Sequence, residues 1–163
     1  MRRLVLTGTV AGLMDDAMLA RLIALQDPNR PFDGRQALAA DFPRREPLRT
    51  FLYEQIAGLN PPLSPDFLRA LIMLRYTVPE PLPMPVCFIA GACDQLFPPE
   101  LITQAHAKVA GARLHMVPEA GHSVYFETPS EFNRLLGEFL EAPTALPGSQ
   151  GSSEAARSDA TLS

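Results

Sequence analysis

The chain has 163 residues, which is enough for one domain with its own hydrophobic core. Its formal net charge is −4 at pH 7 and its basic residues are scattered, which argues against binding to nucleic acid or to an anionic membrane. With two cysteines (Cys87 and Cys93), no visible signal peptide and no apolar run of about 18 residues, the sequence predicts a reduced, soluble, cytoplasmic protein.

The first predicted element is a short buried strand made of Leu4, Val5 and Leu6, three apolar residues followed by a Thr-Gly pair. Residues 8–12, with the sequence GTVAG, have the glycine spacing of the nucleophile elbow G-x-S-x-G, but Val10 stands at the serine position. The segment is therefore either a degenerate elbow or a turn that shares only its two glycines.

The next part of the chain is predicted to be helical and interrupted by prolines. Apolar residues at three-and-four spacing predict helices over residues 13–25, 35–41, 48–59 and 67–74. No convincing strand is found between residues 27 and 84.

From Pro85 the pattern changes to alternating strands and helices. The continuous apolar run at residues 85–91 predicts a parallel strand that is covered on both faces. A helix at residues 98–109 and a strand at residues 113–117 complete a right-handed βαβ unit.

A last amphipathic helix is predicted to end near Glu141. The segment TPSE at residues 128–131 has the pattern of a capping box with proline at the first helical position. Residues 142–163 are rich in Ser, Ala, Gly and Pro and have no period, so they predict a disordered tail.

Two titratable residues follow the two later strands, at the edge where α/β sheets build their sites. Asp94 comes after the strand at residues 85–91, and His122 comes after the strand at residues 113–117. An aspartate in this position can accept a hydrogen bond from an imidazole N–H, which fixes the tautomer and stabilises the imidazolium form. By contrast, His106 lies inside a predicted helix and His115 inside a strand, and neither is expected to act chemically.

The segments PVCFIAGACD (residues 85–94) and VPEAGHSVYFETP (residues 117–129) together resemble the C-terminal part of α/β-hydrolase fold enzymes of the esterase and peptidase-like kind. The resemblance implies that Asp94 is the acid of a catalytic triad and His122 its base. Glu127 matches the glutamate of the family's E-x-P motif and is expected to be structural.

The resemblance also implies the architecture: an α/β fold with about three parallel strands, crossover helices and a helical cap insert. Residues 1–141 would form a partial hydrolase domain, with the cap insert at about 9–84 and the acid and base strands at 85–141, followed by the tail at 142–163. In this family a helix and another strand separate the elbow from the cap. Because that strand is missing here, the first strand looks like the sixth of the family's eight, and Val10 is not a mutated serine.

The expected function is that of the C-terminal portion of an α/β-hydrolase that acts on ester or related acyl bonds. The sequence contains no G-x-S-x-G segment, and Ser64, Ser123 and Ser130 lack the context of a nucleophile, so inactivity in isolation is predicted. Two alternatives stay open: a non-enzymatic binding module that uses the cap as a groove, and one half of a split hydrolase completed by another chain.

The expected partners follow from the same interpretation. A small ester or acyl substrate is expected once the site is completed, and no cofactor, metal ion, nucleic acid or membrane is implied. Leu4, Val5 and Leu6 would form an open strand edge, which predicts self-association or pairing with a partner chain.

Overall fold

The computed structural model describes residues 3–25, 33–61, 64, 70, 73–77 and 82–143. Within these residues, three strands form one sheet in the order β1-β2-β3: β1 (Leu4–Thr7), β2 (Val86–Gly91) and β3 (Arg113–Val117). The described helices are α1 (Asp16–Ala24), a 3₁₀ helix (Gly34–Ala37), α2 (Phe42–Arg45), α3 (Pro47–Gly58), α4 (Pro99–Ala107), α5 (Val124–Glu127) and α6 (Pro129–Glu141).

The sheet is parallel throughout the described region, so the carboxyl ends of its strands meet at one edge. Leu4 lies opposite Val86 at the start of the β1–β2 ladder, and Gly91 lies opposite Val117 at the end of the β2–β3 ladder. This arrangement confirms the α/β class and the three parallel strands predicted from the sequence.

The central strand β2 is buried on both faces, as its continuous apolar sequence requires. Because side chains alternate along a strand, Phe88 and Ala90 pack in the core cluster that contains α1 and α4. Cys87 and Ile89 pack in the opposite cluster with α5 and α6. The two layers of helices hold the ends of β2 and β3 in fixed positions.

The helical insert forms a third cluster, in which Leu38, Ala39 and Phe42 are buried and Tyr53 and Phe126 pack against them. The predicted helix over residues 48–59 is confirmed as α3, whereas residues 35–41 form a 3₁₀ helix and a turn instead of an α-helix. The predicted helix at 67–74 and the predicted tail at 142–163 lie largely outside the described residues.

The predicted capping box ahead of α6 is wrong. The Thr128 side chain does not cap the helix but donates a hydrogen bond to the carbonyl of Val124, 3.1 Å away. Glu131 instead accepts hydrogen bonds from Arg134. The short helix α5 ends directly before Thr128, so the Thr128 hydroxyl bonds back to the carbonyl of Val124, the first residue of α5. Pro129 does occupy the first turn, as predicted.

No helix among the described residues is long and apolar enough to cross a membrane.

Candidate active site

Asp94 lies in the turn that follows β2, and its side chain is completely buried. One carboxylate oxygen, Oδ1, accepts hydrogen bonds from the backbone N–H groups of Leu96 and Phe97 at 2.8 and 2.9 Å. These bonds fix the carboxylate orientation and compensate for the loss of water around it. The other oxygen, Oδ2, is left to face the neighbouring loop.

His122 lies in the loop after β3, and its Nδ1 is 3.0 Å from Asp94 Oδ2. The structure therefore brings together the two residues that the sequence singled out. Because a carboxylate only accepts hydrogen bonds, Nδ1 carries the proton of this bond. In the neutral ring Nε2 is then a free base, and the side chain remains 27% exposed.

The imidazole of His122 has two further neighbours that orient it. The ring of Phe97 stacks on it, with centroids 5.7 Å apart and an angle of 26° between the planes. The backbone at Gly8, directly after β1, approaches so closely that a Cβ atom there would lie 3.2 Å from Nδ1 and from Cε1. The imidazole, carried by the loop after β3, therefore lies against residues at the ends of both β2 and β1.

The loop that carries His122 is anchored to the helical insert by Glu127, a buried carboxylate in α5. Its Oε1 accepts the N–H of Gly121 and its Oε2 accepts the N–H of Ala39, both at 2.8 Å. Burial raises the pKa of Glu127 above its ordinary value, and the two N–H groups oppose that rise. The carboxylate therefore connects two segments that are far apart in the sequence.

Ser123 follows the histidine but does not face it as a nucleophile would. Its hydroxyl is buried and lies 2.8 Å from the hydroxyl of Tyr53, and its N–H donates to the carbonyl of Ala37. Neither the Tyr53 contact nor the part played by residues 37–39 was predicted from the sequence. Apolar periodicity predicted helices here but could not reveal which backbone groups meet the histidine loop.

The GTVAG segment is a turn between β1 and α1. Val10 is only 2% exposed and packs in the core cluster with Leu13 and Met14, so this position does not present a side chain for chemistry. Ala11 and the two glycines have positive φ, and the Ala11 N–H donates to Thr9 Oγ1. That the segment shares only its glycines with an elbow stays a prediction.

A cleft of about 530 Å³ opens beside the site. Phe97, which stacks on His122, forms part of its wall. The remaining lining comes from two segments, Thr9, Val10, Ala11, Gly12 and Met14 after β1, and Leu74, Arg75 and Tyr76 in the insert. The cleft is mainly apolar and contains one cationic side chain, Arg75.

A family model described as the alpha/beta hydrolase family matches residues 2–135. The chain therefore belongs to the alpha/beta hydrolase family. Among curated relatives, this chain is 33% identical to the serine hydrolase BPHL of Homo sapiens over 67 residues, which are 41% of this chain and 23% of that protein. It is 39% identical to the epoxide hydrolase srdG of Neurospora crassa over 59 residues, which are 36% of this chain and 17% of that one.

Solved structures match this chain over most of its length. A thermophilic esterase from Thermogutta terrifontis has a TM-score of 0.62 at 17% identity and is matched over 85% of this chain and 55% of its own. The enol-lactonase from Burkholderia xenovorans LB400 has a TM-score of 0.56 at 17% identity, over 87% of this chain and 57% of its own. At these identities the likeness shows the fold alone, and the chain spans little more than half of each structure.

The side chains of His106 and Cys87 contact other groups of the folded chain. The imidazole of His106 lies 2.9 Å from the carbonyl of Ala112 and packs edge-on against Phe88. Cys87 is buried in the core, and Cys93 is exposed. Across the part of the chain that the structure describes, no three His, Cys, Asp or Glu residues gather as metal ligands would.

Proposed function

We propose that Asp94 and His122 are the acid and the general base of a serine-type triad that hydrolyses ester or related acyl bonds. The observation that carries the proposal is the 3.0 Å contact between His122 Nδ1 and Asp94 Oδ2, with the carboxylate buried and held by two backbone N–H groups. In this arrangement the carboxylate fixes the histidine tautomer and stabilises the imidazolium that forms during catalysis.

The proposed reaction is acyl transfer to water in two stages. A serine hydroxyl attacks the substrate carbonyl while His122 Nε2 takes its proton, and the same proton then passes to the leaving alcohol. In the second stage a water molecule attacks the carbonyl of the acyl-enzyme while His122 Nε2 takes its proton, and that proton passes to the serine oxygen as the acid leaves. Asp94 stays ionised and orients the ring in both stages.

The serine itself is proposed to come from a segment outside these 163 residues, because the sequence contains no G-x-S-x-G. The contact between Gly8 and the His122 ring supports a position beyond β1 for this segment. With Nδ1 directed at Asp94, Nε2 points away from the end of β2. A parallel strand paired with the open edge of β1 would end about 4.8 Å farther along the sheet.

The experiment that tests this proposal begins with the transcript upstream of the Met1 codon. A G-x-S-x-G segment in frame, or one frameshift away, roughly 25 or more codons before Met1 and behind a strand pattern would support it. The longer protein is then expected to hydrolyse short p-nitrophenyl esters, with loss of activity in the His122→Ala variant. Full activity of that variant would overturn the assignment of the base.

A separate partner chain that pairs with the open edge of β1 is the second way in which the serine nucleophile could be supplied. Among the described residues β1 pairs with β2 alone, so its other edge is free to accept a strand. Isolation of the tagged chain from its own cells, followed by mass spectrometry, tests this version. Recovery of a protein with a G-x-S-x-G strand supports it, and exclusive recovery of this chain contradicts it.

The second candidate function is a non-enzymatic binding module. The apolar cleft lined by Met14, Tyr76 and Phe97 favours it, since apolar concave surfaces are the usual binding sites for small ligands. Titration with a fluorescent fatty acid separates the two functions. Micromolar binding that a Met14→Trp variant abolishes, with no hydrolase activity in any longer product, would favour the binding module.

A further inference from the structure

Glu127 is the one buried carboxylate, among the described residues, besides Asp94. Both of its oxygens are used: Oε1 accepts from Gly121, the residue before His122, and Oε2 accepts from Ala39 in the helical insert. A surface glutamate would be free to move, but this one spans two backbone segments separated by 82 positions in the chain, from 39 to 121.

The place where these segments meet has no spare room. A Cβ atom at Gly121 would lie 2.5 Å from the carbonyl carbon of Leu38 and 2.9 Å from Glu127 Oε1, and it would also clash with the N–H of Ala39. The loop backbone is therefore pressed against the insert backbone. The N–H groups of Gly121 and Ala39 are buried at this junction and would cost free energy without an acceptor, and the Glu127 carboxylate accepts from both.

We propose that Glu127 is a positioning residue for His122. By holding Gly121 against the insert, Glu127 fixes the position and orientation of the imidazole. The inference deepens the proposed function and rests on His122 acting as the base. Removal of the acceptor leaves two buried donors unsatisfied, so the loop moves away from Ala39. The contact between His122 Nδ1 and Asp94 then lengthens, because Asp94 is held separately by its own turn.

The charges around Glu127 come from three packed elements. Arg45 in α2 favours the ionised carboxylate, while Asp94 in the β2 turn opposes it. Burial raises the pKa of the Tyr53 phenol in α3, and the negative charge of Glu127 adds to that rise. Ionised Glu127 accepts from both N–H groups, whereas the protonated form gives up part of its acceptor capacity.

The experiment is a proton and nitrogen NMR study of the 163-residue chain and its Glu127→Gln variant. The wild-type chain is expected to show a downfield Nδ1–H signal from His122. In the Glu127→Gln variant the Gly121 and Ala39 amide signals are expected to shift upfield, and the His122 Nδ1–H signal is expected to be lost. An unchanged Nδ1–H signal in a folded Glu127→Gln variant would overturn the proposal.

The matched control is Glu131→Gln on α6, which removes the same charge from an exposed carboxylate that pairs with Arg134. This variant is expected to leave the Gly121, Ala39 and His122 signals unchanged. A loss of the His122 signal in the control as well would show a general effect of charge and would also overturn the positioning role.

A titration of the wild-type chain decides the matter if the Glu127→Gln variant fails to fold. The chemical shifts of the Gly121 and Ala39 amides are expected to change together with pH as Glu127 titrates. Their common midpoint is expected above the ordinary glutamate pKa of about 4.3. Different midpoints for the two amide signals, or amide chemical shifts that do not change with pH, would overturn the proposal. A wild-type chain that titrates as expected but never shows the His122 Nδ1–H signal would instead refute the Asp94–His122 pair and with it the proposed function.

Discussion

The α-carbon of Gly8 faces the imidazole of His122 across the end of the sheet. A Cβ atom added at Gly8 would lie 2.8 Å from the His122 carbonyl oxygen and 3.2 Å from both Nδ1 and Cε1. Gly8 also has a φ of +55°, in the left-handed region that favours glycine. Both the backbone conformation and the space at this position therefore require the absence of a side chain.

Replacement of Gly8 by alanine is expected to displace His122 and to weaken its hydrogen bond with Asp94. The left-handed φ alone costs about 1–2 kcal/mol for an alanine, and the contact with the ring adds to that cost. Urea unfolding gives the change in stability, and the His122 Nδ1–H proton signal reports the hydrogen bond.

Gly111→Ala is the matched control for this prediction. Gly111 has a φ of +72°, and a Cβ atom there would meet nothing within 4 Å. It therefore carries the conformational cost without the contact to the ring. Equal loss of stability in the two variants, with the His122 signal unchanged in both, would contradict a role for Gly8 in placing the ring.

A second prediction concerns the pH dependence of stability. Because burial raises the pKa of Glu127, the folded chain binds more protons than the unfolded chain between the two pKa values. The contribution of this group to the free energy of unfolding is therefore present below the unfolded pKa and is lost as pH rises through the folded pKa. Denaturant unfolding at a series of pH values measures the free energy of unfolding of both proteins. The difference between wild type and the Glu127→Gln variant isolates this contribution.

Glu131→Gln provides a control of opposite sign. Hydrogen bonds from Arg134 lower the pKa of Glu131, so its contribution is present above the unfolded pKa and is lost as pH falls through the folded pKa. The two difference curves are expected to slope in opposite directions. A Glu127 difference curve that rises with pH would show that the two N–H donors outweigh burial.

A third prediction is that the 163-residue chain hydrolyses p-nitrophenyl acetate no faster than an equal concentration of free imidazole. Loss of the nucleophile of a serine hydrolase costs roughly 10⁶-fold in kcat, and the residual catalysis comes from the oxyanion hole and substrate binding. The His122→Ala variant is expected to be as slow or slower. A rate far above that of imidazole that disappears in His122→Ala would mean that a nucleophile is present within the chain.

The sequence was sufficient for the part of the fold that positions Asp94 and His122. The apolar run of β2 could be predicted because burial on both faces leaves a pattern within a few neighbouring residues. The two site residues could be predicted because each follows a strand and matches a family motif. The Asp94–His122 distance then results from the parallel sheet, which brings the strand ends together.

The tertiary contacts of the site could not be predicted in the same way. The position of the Ala39 N–H opposite Glu127 depends on how the insert folds back, and its backbone groups carry no residue-specific signal. The expected capping box at Thr128 failed for a related reason, since its pattern of four residues takes no account of α5 directly before it. Gly8 did carry a signal, a glycine at a strand end, but its contact with His122 appears only in three dimensions.

The last prediction concerns the open edge of β1. Leu4 donates its N–H to the carbonyl of Pro85, directly before β2, at 3.0 Å, and Gly8 donates to Ile89 in β2 at 3.3 Å. Because successive N–H groups along a strand alternate in direction, the N–H of Val5 points away from β2 and is available to another chain. The 163-residue chain is therefore expected to self-associate in a concentration-dependent manner, measured by sedimentation velocity.

The variant Val5→Pro tests whether the strand edge causes this association. Proline removes the outward N–H without removing a bond to β2, whereas Val5→Ala loses a similar part of the side chain and keeps the N–H. The proline variant is expected to shift toward monomer, while the alanine variant still associates. A wild-type chain that is monomeric at all concentrations, unfolds in one sharp transition and binds no hydrophobic dye would contradict an exposed pairing edge. Equal association of the two variants would instead place the contact on a different surface.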